Sequence, residues 1–73
     1  MSEFSVILFH SSNYAMWTKD ILSENDLDCK MISVPRDLSS DCGYCVKFLT
    51  AEKEQVELFL EKNEIEFDKI VDV

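Results

Sequence analysis

The chain has little of what linkers and loose loops are built from, with one glycine and one proline in 73 residues. Flexible or stiff linkers draw on those residues, so their scarcity in so short a chain predicts a single domain spanning residues 1–73. Cysteines number three, an odd count that fits reactive, metal-binding or buried thiols better than a disulfide framework. Basic residues are few as well: 7 Lys and Arg stand against 15 Asp and Glu, a formal charge of −8. A phosphate backbone would be repelled by that field and would find no Lys/Arg cluster to release its counterions, which argues against nucleic acid and for basic proteins or basic patches on enzymes. No apolar run approaches the roughly 20 residues of a membrane span, and Met1-Ser2-Glu3-Phe4 lacks the basic start of a signal peptide. The expectation is a cytoplasmic protein with no membrane attachment. Paired carboxylates for acid–base work, a serine triad and a glycine-rich phosphate loop are all missing, and no cofactor is called for.

What is present is enough apolar material to fold, 47% of the chain against 30% charged. At this size about 3 to 5 kcal/mol is a ceiling on net stability, so a homodimer is one route to more burial. Phe4–His10 (FSVILFH) is a β-branched, apolar run that predicts a strand, and Ser11 and Ser12 follow as N-cap candidates. From Asn13 to about Asn25, residues Tyr14, Ala15, Thr18, Ile21 and Leu22 recur at helical spacing, with Tyr14 and Trp17 read as packing residues. Asn25 and Asp26 stop that helix. Leu27–Val34 alternates, with Leu27, Cys29 and Met31 on the buried face, until Pro35 ends the ladder. Tyr44–Leu49 alternates again, with Tyr44, Val46 and Phe48 opposite Cys45 and Lys47. Thr50 is the expected cap of a second helix that buries Val56, Phe59 and Leu60 and leaves Glu52, Glu54, Glu57 and Glu61 as a solvated face. Glu64–Val73 predicts the last strand.

The order β-α-β-β-α-β predicts an α+β, ferredoxin-like sandwich: a four-stranded antiparallel sheet with two helices on one face. In that topology the end of the first strand, the start of the first helix and the loop between the second and third strands share one end. His10, Ser11, Ser12, Arg36, Ser39, Ser40 and Cys42 would then converge. Cys42 and Cys45 form a Cys-Gly-Tyr-Cys element, a spacing that can close a small disulfide, pass a bound sulfur atom or grip a soft metal ion. Gly43 lets the backbone approach a reactant, and a helix N-terminus nearby favours a thiolate by about 0.3 to 1 kcal/mol. His10 and Arg36 would lower the thiol further, whereas Asp37 and Asp41 oppose it. Two uses of the pair stay open beside sulfur carriage, thiol–disulfide exchange and soft-metal binding of metallochaperone type, and so does a protein-interaction module without cysteine chemistry. The motif opens a strand here, whereas in thioredoxin-like folds it opens a long helix.

Leu8-Phe9-His10-Ser11 with Ala15, and then Val34-Pro35-Arg36-Asp37-Leu38-Ser39-Ser40-Asp41-Cys42-Gly43, resemble the selenium/sulfur carrier protein-like family of small bacterial proteins. The resemblance covers nearly the whole chain, and its Pro-Arg-x-x-Ser-Ser-x-Cys-Gly element is the specific part. It implies a carrier rather than a self-contained enzyme, with sulfur or selenium held on Cys42 as a persulfide or selenosulfide. It also implies donor and acceptor proteins as partners, and Arg36, Ser39, Ser40 and Gly43 as the loop around the thiol. Cys45 lies beyond the core motif, where a small apolar residue is expected.

Overall fold

The computed structural model describes residues 3–38 and 43–73. Four strands and two helices follow the expected order: β1 (Phe4–Leu8), α1 (Ser12–Glu24), β2 (Cys29–Ser33), β3 (Tyr44–Leu49), α2 (Lys53–Lys62) and β4 (Lys69–Asp72). The sheet order is β2-β3-β1-β4 and every neighbouring pair is antiparallel. Two interleaved crossovers produce this order, so the ferredoxin-like α+β arrangement stands.

Alternation divides the strand residues between two faces. One carries Ile7, Val46 and Phe48, which with Phe9 pack against Ala15 and Leu22 of α1 and Val56 and Leu60 of α2 in the main core. Among the described residues, the opposite face has no helix on it. Register gives that face two cross-strand rows, Lys30–Lys47–Val6–Val71 and Ile32–Cys45–Leu8–Lys69.

Both helices end in the same way, and the cause is local. Asn25 caps α1 and Asn63 caps α2, each side-chain amide donating to the carbonyl four residues back, at 2.8 Å to Ile21 and 2.9 Å to Phe59. The next residue is left-handed in each, Asp26 at φ 62° and Glu64 at φ 54°. Leu27 N–H then donates to Leu22 O, and Ile65 N–H to Leu60 O, both at 2.9 Å, the six-to-one bond of a Schellman motif.

That second motif shortens the last strand. Residues Glu64 to Asp68 close the helix and cross to the sheet, so β4 starts only at Lys69 instead of Glu64, and Phe67 is exposed ahead of it. Thr50 is also reassigned. A single 3-10 turn, Thr50–Glu52, precedes α2, and Glu52 stands at the N-cap with no side-chain capping bond. The Thr50 hydroxyl instead meets Ser5 Oγ at 2.7 Å, and Ser5 Oγ donates to Asp72 Oδ1 at 2.8 Å, tying β1, β4 and the start of the turn together. Glu52 departs from the solvated face too, being half-buried, while Glu54, Glu57 and Glu61 are exposed.

Candidate functional site

The site is assembled at one end of the sheet by strand direction. Leu8, the last residue of β1, pairs with Cys45 at the start of β3 and with Lys69 at the start of β4, and Ser33 at the end of β2 pairs with Tyr44. The β1–α1 junction and the β2–β3 loop therefore share this end, as the topology required. His10, Ser11 and Ser12 stand at the junction, and Arg36 and Gly43 in the loop. Ser39, Ser40, Asp41 and Cys42 lie outside the described residues.

Ser11 is the helix N-cap: its backbone is extended, and its hydroxyl accepts from Asn13 N–H at 3.3 Å. Ser12 is already the first residue of α1. His10 is exposed just past the end of β1, one residue after buried Phe9. Strand pairing stops at Leu8, short of the expected His10.

The loop is clamped at its base, where Val34 N–H donates to Gly43 O at 3.1 Å. It turns at once, with Leu38 N–H donating to Pro35 O at 3.0 Å. Gly43 has φ +78°, and a Cβ built there would meet nothing within 4 Å. The backbone, not lack of space, requires glycine at this position. The turn also bears on the cysteine pair. Three residues of extended chain span about 10 Å, beyond the 4.4–6.8 Å between Cα atoms that a disulfide needs, so the pair can meet only if the chain bends between them.

Beyond the clamp, the loop runs onto the helix-free sheet face. Val34 and Leu38 pack against a second small core made of Val6, Leu8 and Cys45, with Ile32 and Val71 alongside. Cys45 is fully buried, and its thiol faces Ser33 O at 4.0 Å. Sequence reasoning assigned Cys45 to the face opposite Val46 and Phe48, and it lies there. The packing of Leu38 on this small core was missed, although Leu38 is the lone aliphatic residue of a polar stretch.

Cys29 belongs to the helix side of β2 as expected, packed against the main core but only half-buried; its thiol donates to Lys19 O at 3.5 Å and lies 3.6 Å from Ser23 Oγ. Tyr14 also packs on the main core, whereas Trp17 is 45% exposed and stacks on the Tyr14 ring at 6.3 Å. Among the described residues, no group of three His, Cys, Asp or Glu could hold a metal ion, and no helix is long and apolar enough to cross a membrane.

Residues 4–72 match a family described as "Putative Se/S carrier protein-like". The chain belongs to this family. No curated protein and no solved structure matches it. The family match takes in the whole of the clamped loop, so the residues from Arg36 to Gly43 fall inside it together with every strand and both helices.

Proposed function

We infer that this protein carries sulfur or selenium on Cys42 and hands it to a partner protein, acting as a carrier and not as a self-contained enzyme. The observation behind this reading is the family match over a chain whose other two thiols are already engaged in packing: Cys45 is buried beneath the loop and Cys29 is half-buried against α1. Cys42 is the thiol left to be loaded.

In the loading step the Cys42 thiolate attacks the terminal sulfur of a donor persulfide. The new bond is Cys42 sulfur to sulfane sulfur, and the donor thiolate leaves. Delivery repeats the exchange in the other direction, with an acceptor nucleophile taking the terminal sulfur and restoring the Cys42 thiolate. A second route uses Cys45. Its thiolate attacks Cys42 Sγ, forms the Cys42–Cys45 disulfide and expels hydrosulfide, after which an external dithiol supplies two electrons to reset the pair. That route requires the cover over Cys45 to lift.

Electrostatic help comes from the surroundings. The N-terminus of α1, capped by Ser11, turns the positive end of the helix dipole toward the same end of the sheet and favours an anion by about 0.3 to 1 kcal/mol, and Arg36 adds a cation within the loop. Loading the protein with labelled sulfur from a persulfide donor and mixing it with a second protein thiol tests the reading. Label should map to the Cys42 peptide and then move to the acceptor. Label that stays with the donor, or that enters Cys29 instead, would refute it.

A further inference from the structure

The chain has only 7 cationic residues, and strand register sets three of them, Lys30, Lys47 and Lys69, on the helix-free face of the sheet. Lys30 and Lys47 are direct cross-strand partners. Like charges held opposite each other destabilise a sheet, so a chain with fifteen carboxylates would gain by placing one across from either lysine. None of the paired strand positions on this face is acidic: its other residues are Phe4, Val6, Leu8, Ile32, Cys45, Leu49 and Val71. Asp28 and Asp37 stand at the margins. Lys30 and Lys69 are exposed, and Lys47 Nζ sits 4.3 Å above the Phe4 ring, beside a shallow pocket of about 250 Å³ that Asp28 and Lys30 also line. Arg36 is exposed in the loop whose Leu38 packs on the same face.

The acids are concentrated elsewhere. Asp20 and Glu24 of α1 and Glu54, Glu57 and Glu61 of α2 are all exposed on the helical layer. The domain measures 29 × 29 × 16 Å across its Cα atoms, so even along the shortest axis opposite surfaces are two Debye lengths apart, at about 8 Å each in physiological salt. A partner at the sheet face therefore meets local lysines more than the overall −8.

We propose that the helix-free face is a docking surface for a protein partner that presents a carboxylate-rich patch, with Lys30 and Lys47 at one corner, Lys69 at the other and half-buried Ile32, Leu49 and Val71 around the buried Val6–Leu8–Cys45 core. Charge complementarity selects that partner. Nucleic acid fits less well, because the paired strand positions of this face carry one aromatic ring, Phe4, already covered by Lys47, and so no open platform for stacking bases. No cysteine chemistry enters the argument, so the face can be tested whether or not Cys42 carries sulfur.

A photo-crosslinking residue placed at Lys47, at Lys69, or at exposed Glu57 of α2 as a control, in the full chain in its host, identifies what each surface touches. Captured peptides are sequenced, and the captured protein is titrated with the parent chain and with a K30E/K47E/K69E variant at two salt concentrations. Expected are sheet-face links to an Asp/Glu-rich segment, affinity at least tenfold weaker in the variant, and recovery when the partner's acids are changed to lysine. K30E/K47E/K69E exchanges one like-charge pair for another, so stability is read on K30Q/K47Q/K69Q, which removes the pair and should melt no lower than the parent. Links to nucleic acid, to a second copy of this chain or to a basic segment would overturn the proposal. So would the same capture at Glu57, no capture at the sheet positions, unchanged affinity, or a fall in melting temperature that marks the lysines as structural.

Discussion

Truncating Leu38 should uncover Cys45. Leu38 is a half-buried residue whose side chain packs on the Val6–Leu8–Cys45 core, and Cys45 itself has no exposed surface. A thiol reagent therefore reaches Cys45 only through opening of the loop or of the whole domain. Fully buried Leu→Ala changes cost about 2–5 kcal/mol, and a half-buried leucine on a loop that can relax should lose about 1–2 kcal/mol. Most of that loss falls on the local opening that involves the loop, since α1, α2 and the main core lie across the sheet. At 1.4 kcal/mol per tenfold, alkylation of Cys45 should accelerate by about 5- to 30-fold in Leu38→Ala. The assay follows alkylation by mass in a Cys29→Ser/Cys42→Ser background, where Cys45 is the one thiol left, over a series of low urea concentrations. A shallow urea dependence marks local opening and a steep one marks global unfolding. Leu58→Ala, at a position 64% exposed on α2, serves as the control and should leave the rate unchanged. An unchanged rate in Leu38→Ala, or an increase that only tracks global stability, would refute the assignment of the loop as the cover over Cys45.

Three further outcomes follow from backbone and charge geometry. Gly43→Ala should destabilise by about 1–2 kcal/mol and Gly43→Asn by less, because the cost lies in the positive φ and not in crowding; equal losses in urea melts would contradict this. Asp26→Gly and Glu64→Gly should each stabilise by about 0.5–1 kcal/mol, relieving a left-handed non-glycine residue at a helix end, and raise Tm by about 2–8 °C for a domain of this size; lower melting temperatures would count against the capping account. Lys30→Glu should leave stability unchanged or raise it by about 0.2–1 kcal/mol through an opposite-charge pair with Lys47, checked by denaturant titration at low and high salt.

The fold was legible wherever local pattern and tertiary need coincide. Alternation in Leu27–Val34 and Tyr44–Leu49 gave the faces of β2 and β3, and the Ser11 cap and the Asn25-Asp26 stop bounded α1, because each depends on neighbours within a few residues. Thr50 misled because its hydroxyl partner, Ser5, lies 45 positions away, and no local signal competes with a capping rule. The shortened β4 has a similar origin: Glu64-Ile65 reads as alternation, but Ile65 is spent closing α2 against Leu60. At the site, topology sufficed to bring the β1–α1 junction and the β2–β3 loop to one end. That Leu38 packs on the Val6–Leu8–Cys45 core depends on loop packing, and the gathering of Lys30, Lys47 and Lys69 on one face depends on register across three strands. Neither is written in any single segment.

The central claim is that Cys42 is the loading thiol, and intact mass after treatment with a persulfide donor tests it most directly. The wild-type chain and Cys45→Ser should each gain the mass of one sulfur atom, reversibly with a dithiol reductant, while Cys42→Ser, folded and reduced, should gain none. Sulfur added to Cys42→Ser, or none added to Cys45→Ser, would contradict the account.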